Sequence, residues 1–209
     1  MLYEVRTYTL RPGSVAEFEE RYAKRLPLRE KHSKLGAFWH TDFGPLNQVV
    51  HVWPYEDLQH RQEVREAMAK DSDLQRFRPA SGVIVGQESE VYIPAPFMRP
   101  MGGDQALGSF YEMRTYTFLP GAIPQLIESW AEAIPHREEY SPLAAGMYTE
   151  LGGLNKWVHI WPYHSLEERN RIREEARRGG HWPPGGDYRQ SMIKQENKML
   201  IPASFSPMH

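Results

Sequence analysis

Residues 3–97 recur at 111–205 with a constant offset of 108 and no gap. "YEVRTYTLRPG" returns as "YEMRTYTFLPG", "GPLNQVVHVWPY" as "GGLNKWVHIWPY", and "GQESEVYIPAPF" as "KQENKMLIPASF". About 35 of the 95 aligned positions are identical. A period this long marks a duplicated domain, since solenoid units run about 20–50 residues. Any surface that one copy leaves bare must therefore be covered by the other, inside one chain. The chain divides into repeat 1 (1–97), a linker (98–109, "MRPMGGDQALGS") rich in glycine, and repeat 2 (110–209).

Each copy reads alike. Tyr3 to Leu10 alternates and is rich in threonine, tyrosine and valine, the pattern of a strand. "RPG" or "LPG" ends it. Ser14 with Glu17 predicts a capping box for the first helix. In the second copy Pro124 suits a first helical turn. Phe18, Tyr22 and Leu26 make an apolar stripe at i, i+4 and i+8, repeated by Leu126, Trp130 and Ile134. Pro27 and Pro135 are expected to break or kink this helix. Ala37 to Asp42 and Gln48 to Trp53 read as an antiparallel hairpin, Asp57 and Ser165 as caps of a second helix, and Val83 to Ile93 and Met192 to Ile201 as closing strands. The order β-α-β-β-α-β is a ferredoxin-like unit. The fold class is thus α+β, two such units packed together, with the bare faces of the two sheets expected to meet.

Composition narrows the function. A net charge of −2, with no lysine/arginine block, offers no field for nucleic acid. There is no cysteine, which excludes disulfides, thiolate metal sites and a cysteine nucleophile. No signal peptide and no membrane-length apolar run is visible, so the expected setting is cytoplasmic, with no membrane partner. No phosphate-binding glycine loop, nucleophile elbow or dinucleotide fingerprint is present.

The motifs "YExRTYxxxPG", "GxLN", "VxHxWxY", "SLxxR" or "DLxxR", and "QExxxxIPAxF", in that order and once per copy, resemble the NIPSNAP family. The resemblance covers nearly the whole chain. It implies the dimeric α/β-barrel superfamily, here as a pseudo-dimer within one chain. It also implies a biochemically open field. Animal members are mitochondrial and tied to vesicle and autophagy functions, while barrel relatives include cofactor-independent monooxygenases, haem-degrading enzymes and haem peroxidases. A shared fold does not fix which.

Strand alternation sorts the candidate residues. Glu4, Arg6 and Tyr8 share one face, as do Glu112, Arg114 and Tyr116. The structural reading is a buried Glu–Arg pair that fixes register; the functional one is an arginine holding an anionic or carbonyl oxygen, with the tyrosine assisting. His51 and Trp53, like His159 and Trp161, share a face. Each histidine is either a packed core residue, with Asp42 or Glu150 as partner, or a general base, orienting group or haem ligand. A two-histidine metal site is conceivable only in the first copy, where His40 lies near His51; Tyr148 replaces it in the second, so no metal is expected. Arg61, Arg65, Arg169 and Arg173 fall at i and i+4, on a solvated face or turned into the cleft. "RRGGHWPPGGDYRQ" (177–190) departs from its counterpart at 69–82 and reads as a surface loop or as a lid that brings His181 and Trp182 to a ligand.

The leading expectation is a protein that binds a small apolar or aromatic molecule between sheet and helices, with metal-free acid–base or monooxygenase-type chemistry. His51, His159, Arg6, Arg114, Tyr8 and Tyr116 are the candidate catalytic residues, and Trp39, Trp53, Trp161 and Trp182 the candidate ligand contacts. No cofactor is expected, with haem as an alternative. A non-catalytic scaffold protein is the other alternative. The sequence leaves the higher oligomer open, a homodimer of pseudo-dimeric chains paired through exposed sheet edges being one assembly it allows.

Overall fold

The structure is a computed structural model that describes residues 1–77 and 82–209. Four strands and two principal helices form in each repeat, in the expected order. In the first they are β1 (Leu2–Leu10), α1 (Val15–Arg29), β2 (Ala37–Phe43), β3 (Gln48–Tyr55), α2 (Leu58–Lys70) and β4 (Ile84–Pro94), with a short α3 (Ser72–Arg76) before β4. In the second they are β5 (Phe110–Phe118), α4 (Ile123–Glu138), β6 (Ala145–Leu151), β7 (Lys156–Tyr163), α5 (Leu166–Arg178) and β8 (Met192–Pro202). A 3₁₀ turn, Asp187–Ser191, precedes β8, and the counterpart of α3 at 180–184 is not helical. Residues 78–81 of the first-half counterpart to the 177–190 loop lie outside the described residues.

The two units join as the α/β-barrel resemblance implies: their bare faces turn inward on one lumen, and their edges pair. Each unit runs β4-β1-β3-β2 or β8-β5-β7-β6; β2 then pairs with β8 and β4 with β6, which closes one eight-stranded antiparallel barrel. Closure satisfies the backbone groups an open edge would expose. It also leaves no open sheet edge in the barrel.

Alternation then makes three cores. Tyr3, Val5, Val50 and Val52, with Tyr111, Met113, Val158 and Ile160, fill the lumen. The linker is not a bare tether: Met101 enters this lumen core beside Met208, and its N–H donates to the Tyr3 hydroxyl at 3.2 Å. Outside the barrel, α1 and α2 cover one half, and α4 and α5 the other. The stripes Phe18, Tyr22, Leu26 and Leu126, Trp130, Ile134 are buried as predicted. Two local expectations fail. Ser14 makes no side-chain cap, its N–H instead donating to the Arg11 carbonyl. Pro27 and Pro135 do not interrupt their helices; each lies in the last turns, where the missing N–H forfeits a single intrahelical bond. Asp57 and Ser165 cap as expected, accepting from His60 N–H at 2.8 Å and Glu168 N–H at 3.0 Å. No helix among the described residues is long and apolar enough to cross a membrane.

Candidate functional site

The register brings the predicted residues together on the outer face. Arg6 stands across from His51 and Glu4 from Trp53; Arg114 stands across from His159 and Glu112 from Trp161. Each group therefore lies between its sheet and its helices.

Glu4 and Glu112 are the hubs. Glu4, 1% exposed, accepts from Arg6 at 3.0 Å, Arg61 at 2.7 Å and Ser89 at 2.8 Å, with Arg65 at 3.9 Å. Glu112, fully buried, accepts from Arg114 at 3.0 Å, Asn197 at 3.2 Å, Arg173 at 3.4 Å and Arg169. Arg61, Arg169 and Arg173 thus turn inward, while Arg65 stays exposed at the edge of the group. Burial alone would raise the Glu4 pKa; the hydrogen bonds from Arg61 and Ser89 and the charge of Arg6 outweigh it and hold the carboxyl at about 2. Glu112 is likewise held low, burial being outweighed by Arg169, Arg114 and Arg173.

The histidines are packed in one defined state. Trp53 Nε1–H donates to His51 Nδ1 at 2.7 Å, and Trp161 Nε1–H to His159 Nδ1 at 2.7 Å. Indole is a donor only, so Nδ1 is the acceptor and the neutral ring carries its proton on Nε2. Asp42 and Glu150, the expected partners, are exposed and play no part. Burial first, then the charge of Arg6, pushes the His51 pKa down to about 3; burial and the charge of Arg114 push His159 well below its ordinary value. Both Nε2 atoms are buried without a partner. This state is a poor general base, because the basic nitrogen is already engaged. It also does not fit haem ligation, which uses the Nε2 lone pair and would turn an Nδ1–H against the indole N–H. His40 does not join His51: its cross-strand neighbour is Val49, and its Nδ1 pairs with Glu19 at 2.8 Å.

Sequence reasoning missed Arg29 and Arg137. Both are buried, at 5% and 1% exposure, and stack on Trp53 and Trp161 with Cζ at 3.9 and 4.1 Å from the ring centroid. Arg29 donates to Ser33 at 2.7 Å and Tyr55 at 3.0 Å, and Arg137 to Ser141 at 2.9 Å and Tyr163 at 3.2 Å. The signal was available: an arginine extends the apolar stripe to i+11 in both copies.

The clefts differ. In the first half, Arg6, Tyr8, His51 and Trp53 border a cavity of about 130 Å³ that Tyr22, Arg25 and Met68 crowd. In the second, Arg114, Tyr116, His159 and Trp161 border one of about 460 Å³, walled further by Trp130, Trp182 and Tyr188. Trp182 packs edge-on against Trp130 (4.9 Å between centroids) and Trp161 (5.6 Å), so the 179–191 loop does form part of the wall. His181 does not line this cavity; its ring stacks on His136 at 4.0 Å. Trp39 is also misplaced by the sequence reading. It pairs with inward-facing Val50 and sits fully buried in the lumen, 5.1 Å from Tyr111, away from both clefts.

Comparison with known proteins agrees with the duplication. The NIPSNAP family profile matches twice, at residues 3–99 and 111–207. Protein NipSnap homolog 3A of Homo sapiens is 33% identical over 226 residues, covering 100% of this chain and 86% of the relative. Protein NipSnap of Drosophila melanogaster is 27% identical, covering 99% and 78%. A putative monooxygenase from Lactobacillus acidophilus superposes with a TM-score of 0.62 over 97% of this chain and 94% of its own, at 12% identity. That likeness shows a shared fold alone.

Proposed function

The chain belongs to the NIPSNAP family, and on that premise we propose that its second-half cleft binds a small molecule with an aromatic or apolar body. The cavity of about 460 Å³ carries this reading: its size suits such a ligand, and its wall sets tryptophan and tyrosine rings beside polar and charged groups. His159 offers an unpartnered Nε2–H. The Tyr116 hydroxyl accepts from Arg114 Nε at 2.8 Å, which leaves its own proton to donate. The two rings meet edge to face at 4.9 Å in the cavity wall, and the proposal has both donors meet one oxygen of the ligand. Preorganised donors of this kind stabilise an oxygen anion as it forms. That is the entry step of metal-free acid–base and oxygenation reactions alike, with His159 and Tyr116 as oxygen-orienting donors and Arg114 fixing Tyr116.

Three of the six tryptophans line the cleft, which gives the test its signal. Titration with 2-naphthol is expected to quench tryptophan emission, and Trp182→Ala to weaken the response. Unresponsive emission, together with a native mass spectrum free of any small-molecule adduct, would overturn the proposal. A scaffold role is the second reading, favoured by exposed apolar residues at the two hairpin ends, Phe43 and Leu46 with Leu151 and Leu154. Under that reading Leu46→Asp/Leu154→Asp abolishes partner or self-association and leaves the naphthol response unchanged.

A further inference from the structure

The charge of the larger cleft is unbalanced. Five arginines line it (Arg114, Arg137, Arg173, Arg177 and Arg189), and no aspartate or glutamate does. Arg114 and Arg173 share Glu112 beneath the wall. Arg137, Arg177 and Arg189 form no ion pair among the described residues; Arg137 has only hydroxyl and carbonyl oxygens as partners, and Arg189 donates to the Pro183 carbonyl at 3.0 Å. Arg137 is buried while Arg177 and Arg189 are exposed, so the cleft wall carries positive charge that no carboxylate of the wall balances and that an anion can meet.

Arg29 shows which part of this is structural. It has the same neutral partners and the same indole stack, in a cleft too small for the same ligand. A buried arginine on tryptophan is therefore a packing feature of both halves. The second half adds to it. Arg177 stands where the first repeat has Ala69, Arg189 comes from the divergent loop, and Glu4, which borders the first cavity, has no counterpart in the wall of the second. His159, whose Nε2 is buried without a partner, also lines this cavity.

We infer that the ligand of the second-half cleft is an aromatic carboxylate, its carboxylate joining the Arg137, Arg177 and Arg189 guanidiniums and its apolar body lying against Trp130, Trp182 and Tyr188. The planar guanidinium fork matches a carboxylate. A phosphate is less well served, because no glycine loop and no α-helix N-terminus lines the cavity. The inference rests on the binding role proposed above.

The test compares 2-naphthoate with its neutral isostere 2-naphthamide, by tryptophan quenching and calorimetry. 2-Naphthoate is expected to bind about tenfold more tightly or better, as charge-assisted bonds to guanidinium imply. Raising NaCl to about 0.5 M weakens the naphthoate and spares the amide. Arg177 and Arg189 are exposed, so Arg177→Gln/Arg189→Gln keeps the fold; it is expected to cut naphthoate affinity about tenfold and move the amide less than about twofold. Equal affinity of the two probes, or a double variant that weakens both equally, overturns the carboxylate assignment and leaves the aromatic cleft standing. Binding of neither probe overturns both.

Discussion

The two clefts use the same polar residues around different amounts of space. Glu, Arg, Tyr, His and Trp keep their register in each half, down to the 2.7 Å indole–imidazole bond. The difference lies in the packing around them. Arg25 and Met68, which crowd the first cavity, are Ala133 and Ala176 in the second repeat. Arg25 also ties α1 to the Phe77 carbonyl at 2.8 Å, a strap that an alanine cannot make. Elsewhere bulk is moved and not lost. Phe38 stacks on His51 in the first half; its counterpart is Gly146, where a Cβ would meet the Trp157 ring at 3.3 Å, and Trp157 itself replaces Val49. The polar set is thus part of what holds either half together, and the larger cavity is an addition that one copy makes. Duplication permits this, because strands of both halves close the barrel and the larger cleft lies outside it, between sheet and helices.

If the polar set is structural in both halves, acid should expose it first. His51 is neutral in the fold with a pKa of about 3, against an ordinary 6.5. Between those values the unfolded chain binds the extra proton, so stability is full above pH 6.5 and falls as pH drops toward 3. Glu4, at about 2 against 4.5, adds a loss in the same direction below pH 4.5. Urea unfolding at pH 7 and pH 4.5 should show about 2–3 kcal/mol lost through His51, with His159 adding to it. His51→Gln should flatten the profile; an unaltered pH dependence would show that the ring is not held neutral. The carboxylate hubs come next. Glu4→Gln and Glu112→Gln each leave three arginines around an uncharged group, at a cost of about 3–5 kcal/mol. A cost confined to one half would break the symmetry argued here.

Much of this was legible, and the failures have physical causes. The repeat, the strand alternation and the hairpin turns follow from local chemistry; Asn47 and Asn155, both at φ 58°, take the left-handed position of the "GxLN" turn that asparagine tolerates. Alternation placed Arg6 with Tyr8 and His51 with Trp53, but it could not give the hairpin register that sends Trp39 inward with Val50. The histidine partner was sought among carboxylates, because nothing in "HVW" announces that an indole two residues away folds back onto the ring. The 177–190 segment has no period to read; its departure from the first repeat pointed to Trp182, but Arg189 came to the cleft only through tertiary structure. Closure of the barrel depends on edge pairing between repeats, which no pattern within one repeat encodes.

The packing difference can be tested by transplanting it. Ala133→Arg/Ala176→Met gives the second half the crowding residues of the first, and should reduce naphthol binding about a hundredfold if each obstruction excludes ligand as steric overpacking does. Fluorescence titration on a variant with unchanged unfolding midpoint decides it; full binding would place the ligand elsewhere.

The smallest expected effect is also the most discriminating, since it separates a wall from a core. Leu74 and Trp182 occupy equivalent positions in the two repeats. Leu74 is 1% exposed, and Leu74→Ala should cost about 2–4 kcal/mol through a cavity in the packed first half. Trp182 is only half-buried and faces the open space, so Trp182→Ala removes less buried contact. Its cost in stability should be about 1 kcal/mol, most of it the edge-on contacts with Trp130 and Trp161. Its cost in affinity should be about tenfold, because the ligand loses an aromatic wall. Urea unfolding and fluorescence titration of both variants separate the cases. If Trp182→Ala destabilised as strongly as Leu74→Ala and bound ligand normally, the loop would be a second core and not a wall, and the larger cleft would be a consequence of its packing.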